Sequence, residues 1–139
     1  MAKMTSDERE KFLAELHVGV IAIERADRAP LAVPIWYGYE PGGEVKIWTD
    51  NGSVKERLIR AAGRFSLTAQ VEQPPYRYVT VEGTVTSIER ATVDDVLAIA
   101  VRYLGPDEGK AFAEQNLSES SLLVSLRPEK WLSTDYAKE

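Results

Sequence analysis

The chain alternates between two hydrophobic periods, and the changeovers mark its elements. Thr5 to Leu16 repeats apolar residues at helical spacing, with Phe12, Leu13 and Leu16 as the stripe. Thr5 and Glu8 stand at capping-box spacing at its start. Val18 to Ile23 is a β-branched run of strand length, apolar on both faces, which predicts a strand covered on both sides. Ala26-Asp27-Arg28 reads as a turn, and Leu31 to Tyr39 as a second strand. Pro34 lies inside that strand and cannot donate to a ladder, so it predicts an edge, a bulge or a ligand contact.

Glu40 to Glu44, with paired glycines, predicts a hairpin turn into the strand Val45 to Thr49. Ser53 then opens a helix that ends near Gly63. Arg64 to Val71 alternates as a strand. After the Pro74-Pro75 break, Tyr76 to Glu89 gives the clearest period of two in the chain. Thr92 and Asp95 cap a helix running to about Tyr103, ended by Gly105-Pro106, and a short helix over about Asp107 to Gln115 follows. Leu122 to Leu126 and a short segment at Trp131 close the chain as two strands. Hairpins dominate and the βαβ alternation of a doubly wound sheet is missing. The expected class is mainly β, a closed or partly open barrel with peripheral helices.

Composition narrows the chemistry. At 139 residues the chain is expected to form a single domain over residues 1–139. It has no cysteine, which excludes disulfides, thiolate metal sites and cysteine nucleophiles. His17 is the only histidine and ends the first helix, so it reads as structural. No carboxylate cluster compensates for it, and no metal site is expected. The net charge of -5 argues against general nucleic-acid binding. No apolar run has the length of a membrane span, and the charged N-terminus lacks a signal-peptide core, so a cytoplasmic protein is expected. With no Ser–His–acid set, Walker loop or GxGxxG, an enzyme of this sequence would need an organic cofactor for its hard chemistry.

Three segments are candidates for holding one. Thr49 and Asp50 lead into Ser53, Val54, Lys55, Glu56 and Arg57, with Arg60 a turn later. Ser53 and Glu56 have capping-box spacing, and free N–H groups with the helix dipole favour an anion there. Cations in a first turn are locally unfavourable, and a bound phosphate would remove that conflict. A solvated basic helix is the alternative. Val33, Pro34, Ile35 and Trp36 could present backbone groups and stacking surface to a flat heterocycle, or be core and dimer contacts. Tyr76, Arg77 and Tyr78 read either as interface anchors or as an exposed strand start.

In this order, the segments Leu16 to Ile23, Pro30 to Tyr37, Trp48 to Arg57, Gly63 to Gln70 and Val81 to Val85 resemble the split-barrel superfamily that includes the pyridoxamine 5'-phosphate oxidases. The likeness spans nearly the whole chain and is nearest to small F420-dependent (deazaflavin) reductases. It implies a dimeric FMN-binding-type split barrel with cofactor sites between subunits and a small-molecule substrate. By position it implies that Lys55 and Arg57 hold the cofactor phosphate, with Ser53 and Val54 lending backbone and Arg60 a weaker candidate. Val33, Pro34, Ile35 and Trp36 would line the ring, Thr49 and Asp50 flank the ribityl chain, and Gln70 approach from the next strand. Tyr76, Arg77 and Tyr78 would come from the second subunit. The vitamin B6 phosphate oxidases carry an arginine where this chain has Leu31, a departure that speaks against pyridoxamine phosphate oxidation. The resemblance implies hydride transfer between reduced F420 and an unsaturated or quinone-like molecule. The alternatives are an FMN oxidoreductase or a non-catalytic carrier of either cofactor. The count of Lys55, Arg57, Arg60 and Arg77 exceeds what one phosphate needs, which points to F420 with its anionic tail.

Overall fold

A computed structural model describes residues 2–138. Helix α1 (Ser6–Ala14) starts at a complete capping box: Thr5 accepts from the Glu8 N–H, and Glu8 accepts from the Thr5 N–H. Phe12 and Leu13 are buried as its stripe requires, but Leu16 lies beyond the helix and is exposed, because α1 ends at the Glu15 cap. The strands are β1 (Gly19–Ile23), β2 (Leu31–Ile35), β3 (Tyr37–Gly38), β4 (Val45–Asp50), β5 (Arg64–Val71), β6 (Arg77–Arg90) and β7 (Ser121–Asp135). Helix α2 (Val54–Ala62) follows β4, and α3 (Val93–Leu104) and α4 (Pro106–Asn116) lie between β6 and β7.

The predicted second strand is divided at Trp36, and the predicted final pair is one continuous strand. β7 runs through Pro128 because the ladder with β6 slips there: Glu82 pairs with Lys130 and Gly83 with Pro128, so Glu129 bulges out and the proline sits at an irregular step of the ladder. At that slip β6 and β7 come so close that a Cβ on Gly83 would stand 1.7 Å from the Arg127 carbonyl oxygen.

The sheet is antiparallel in the order β2-β1-β5-β6-β7-β4-β3. Its two edge strands, β2 and β3, are consecutive in the chain with only Trp36 between them. A sheet whose opposite edges are joined by one residue must curl back on itself, and this makes the barrel. Pro34 thus sits on an edge strand, as its missing N–H demands. The open seam is bridged by a side chain from α3. The Tyr103 hydroxyl accepts from the Tyr37 N–H at 3.1 Å and donates to the His17 carbonyl at 2.6 Å.

Pairing register separates the two faces. Val33, Ile21, Leu67, Val81 and Trp131 form a row across five strands that points into the barrel, with Tyr37 fully buried beside it. The neighbouring row, Pro34, Val20, Thr68, Thr80 and Leu132, points outward. That outer face is open in the single chain: Val18 is 54% exposed and Leu132 60%. Strand β1, expected to be covered on both sides, is therefore covered by its own chain only on the inner one.

Candidate functional site

Where β2 stops, Trp36 leaves the ladder and its indole stacks on Tyr103 at 4.9 Å, the planes 6° apart. Phe112 of α4 packs against the same indole at 5.2 Å, and Trp48 of β4 meets Phe112 edge-on at 6.0 Å. Trp36, Phe112 and Trp48 help line a groove of about 480 Å³, whose other walls are Val18, Pro34, Ile35, Asp50, Ile99 and Asn116. Its size and mostly apolar wall suit a small planar ligand. A second cavity of about 450 Å³ lies against Ala22, Arg64, Glu82 and Lys130, is richer in charge, and contains none of the predicted site residues.

Pro34, Ile35, Trp36 and Asp50 are the sequence candidates that the groove brings together. Val33 alternates with Pro34, so its side chain packs on the barrel core and only its backbone faces the other way. Thr49 is buried next to the groove strand, its hydroxyl 3.2 Å from that of Ser53. Asp50 is exposed, and its carbonyl accepts from the Ser53 N–H at 3.1 Å, so the cap of α2 begins one turn from the groove.

At that cap the Ser53 hydroxyl accepts from the Glu56 N–H at 3.1 Å. The return half of the expected capping box is absent. The Glu56 carboxylate bonds instead to the Gly52 N–H at 2.8 Å and to the Arg60 guanidinium. Those two partners hold its carboxyl below the usual range, the Gly52 N–H contributing most. Glu56 thus supplies a negative charge to the first turn and offsets part of the conflict that Lys55 creates there. Arg60 is committed to Glu56. Arg57 donates to the Gly52 carbonyl at 3.1 Å, and Lys55 forms no salt bridge among the described residues. The N–H groups of Val54 and Lys55 find no acceptor among the described residues, as expected of a helix start. Two backbone donors with Lys55 and Arg57 are the donor set that a phosphate monoester needs, so the residues present fit a phosphate-bearing cofactor.

The remaining candidates stand elsewhere on the chain. Gln70 is exposed on β5, paired with Tyr78 on β6. Tyr76 is exposed just before β6, and the Arg77 guanidinium lies over the Phe12 ring at 5.0 Å. None of them lines the groove of their own chain. The groove residues that sequence reasoning missed are Val18, Trp48, Ile99, Phe112 and Asn116. One signal was available: Phe112 is the sole large apolar side chain on an otherwise small and polar α4. His17 is structural: its Nε2 lies 3.0 Å from the Phe12 carbonyl and its ring stacks on Phe12. Among the described residues no cluster of His, Cys, Asp and Glu could hold a metal, and no helix is long and apolar enough to cross a membrane.

A family model described as pyridoxamine 5'-phosphate oxidase matches residues 5–131. Among solved structures, a conserved hypothetical protein of Mycobacterium tuberculosis superposes with a TM-score of 0.82 at 24% identity, covering 99% of this chain and 88% of that one. An F420 reductase superposes with a TM-score of 0.72 at 22% identity, covering 88% of this chain and 94% of that one. A FAD-binding protein of Mesorhizobium loti superposes at 0.65 with 18% identity, covering 94% and 91%. At these identities the likenesses establish a shared fold. No curated protein sequence matches.

Proposed function

Since the chain belongs to the pyridoxamine 5'-phosphate oxidase family, we propose that it is an F420-dependent oxidoreductase working as a homodimer on a small unsaturated molecule. The observation that carries this reading is one continuous segment, Trp48 to Arg57. Its first residues line an aromatic groove and its last present an anion-binding helix start. Bound F420 would supply a two-electron hydride carrier that no side chain can replace. Lys55, Arg57 and the N–H groups of Val54 and Lys55 hold its phosphate, with Ser53 and Thr49 beside it. Pro34, Ile35 and Trp36 support the ring and exclude water from its face, and Asp50 flanks the linking chain. The outward row Pro34, Val20, Thr68, Thr80 and Leu132 supplies the dimer face. Val18 and Pro34 belong both to this face and to the groove, so a partner subunit there would roof the site. Gln70, Tyr76, Arg77 and Tyr78 then serve the partner's site.

One observation favours FMN as a second reading. Arg60 is neutralised by Glu56 and Arg77 lies over Phe12, so Lys55 and Arg57 are left for the anion, about what a single phosphate requires. Parallel calorimetric titration of the purified protein with F420 and FMN separates the two. Tighter F420 binding supports the deazaflavin reading, tighter FMN binding selects the flavin one, and binding of neither contradicts both. Tight binding of either without oxidation of the reduced cofactor by any acceptor would leave a carrier.

A further inference from the structure

The cofactor reading leaves the second cavity, of about 450 Å³, without a role. Four of its wall residues, Ala22, Ser66, Glu82 and Lys130, form one pairing row across β1, β5, β6 and β7. This row lies next to Val20, Thr68, Thr80 and Leu132 on the outer face and points the same way. It is uneven in height. On β1 and β5 it carries the short side chains of Ala22 and Ser66, and on β6 and β7 the long ones of Glu82 and Lys130. One half is a hollow and the other a ridge.

Its charges are ordered as well. Glu24 follows β1 and Arg64 opens β5, each two residues along from the short side chains and so on the same face. Their ion pair closes at 2.5 Å. Glu82 and Lys130 form no ion pair or side-chain hydrogen bond among the described residues. Glu129, the remaining charge on the wall, is held by Arg127 at 2.9 Å and by Thr84 at 3.0 Å. Read from β1 to β7, Glu24, Arg64, Glu82 and Lys130 run negative, positive, negative, positive. Such a series is complementary to its own reverse. Face-to-face association performs that reversal when a two-fold axis lies in the face, along the strands, between β5 and β6. It lays β1 against the partner's β7 and β5 against the partner's β6.

We propose that the second cavity is an interlock between two copies of this chain. The ridge of each copy enters the hollow of the other, Lys130 pairs with the partner's Glu24, and Glu82 pairs with the partner's Arg64. The inference rests on the dimer face proposed above and supplies its orientation, which an apolar row leaves open. The same reversal sets Val20 against the partner's Leu132 and Thr68 against the partner's Thr80, apolar on apolar and hydroxyl on hydroxyl. It also brings the end of β7, at Thr134, opposite the partner's Val18 at the aromatic groove. The arrangement that pairs these charges therefore also covers the cofactor site.

The test uses Lys130→Glu and Glu24→Lys, both at exposed positions, each alone and then mixed, in fluorescence-detected sedimentation at low salt. Either homodimer sets like charges together at both symmetric contacts, and its Kd is expected to rise about ten-fold or more. The mixture restores opposite charges at both contacts, so the heterodimer should fall within about three-fold of the wild-type Kd. Charge effects inside a chain are the same in homodimer and heterodimer, so recovery on mixing reports contacts between chains. A wild-type dimer that neither substitution weakens, or variants that stay apart when mixed, would overturn the interlock and leave the dimer face standing. A wild-type monomer would overturn the dimer face and the interlock with it.

Discussion

A Cβ on Gly83 would lie 1.7 Å from the Arg127 carbonyl oxygen and 2.9 Å from its carbon, both backbone atoms fixed by the β6–β7 ladder. No rotamer change relieves that contact, so Gly83→Ala must break the bulge. The expected loss is about 2–3 kcal/mol, read as a lower urea midpoint at unchanged slope. His17 makes the second prediction at this scale. Burial pushes its imidazole below the ordinary 6.5, outweighing the opposing pull of Glu15. The folded state prefers the neutral ring, so as pH falls below about 6.5 the unfolded chain takes up the proton first. The stabilisation is full above that pH and is lost below it. The Tm should drop between pH 7.5 and 5.5, and His17→Gln should flatten the drop. Such residues differ in how far the sequence reveals them. Ser53 was legible because capping is local chemistry. The partners of Glu56 were not, because its carboxylate takes the Gly52 N–H on one oxygen and Arg60 on the other instead of returning to the Ser53 N–H, and only the three-dimensional geometry decides that.

Helix α3 acts less as a cover than as a fastener. Arg102 donates to the Ala14 carbonyl at 2.9 Å and to that of Glu15, capping the end of α1, while its guanidinium lies over the Tyr37 ring. One residue on, Tyr103 ties Tyr37 of β3 to the His17 carbonyl just before β1 and supports Trp36. Tyr103→Phe keeps the stack but leaves the Tyr37 N–H without its partner. It should cost about 1–3 kcal/mol and speed amide exchange at Tyr37 above that of the wild type, measurable by hydrogen exchange. The ends of α2, α3 and α4 were readable because Gly63, Thr92 and Pro106 are strong punctuation. The unity of β7 was not, because Pro128 and the charged residues around it mimic a loop unless the bulge opposite is known. The walls that α3 and α4 give the groove depend on which face of each helix packs, and no local pattern states that.

For the whole molecule, the barrel follows from the two edge strands being neighbours in the chain, and its outer row then has no cover of its own. Val20 and Leu132 are exposed on a flat stretch beside Pro34, Thr68 and Thr80. The two apolar faces of Val18 to Ile23 already called for a cover on both sides, and a second copy of the chain is the cover proposed for the outer one. Leu132→Asp places a charge in the middle of that row. It should turn a dimer into a folded monomer by sedimentation, whereas a wild-type monomer would refute the dimer face. The proposed cofactor site joins all three scales, and its anchor is the most exposed to test. The decisive measurement is F420 and FMN affinity for the wild type, Lys55→Ala and Arg57→Ala under identical salt. Each substitution is expected to weaken the preferred cofactor about ten- to hundred-fold, since each removes a charge-assisted contact to the phosphate. Wild-type affinity retained in both variants would contradict the assignment of the α2 start as the phosphate site.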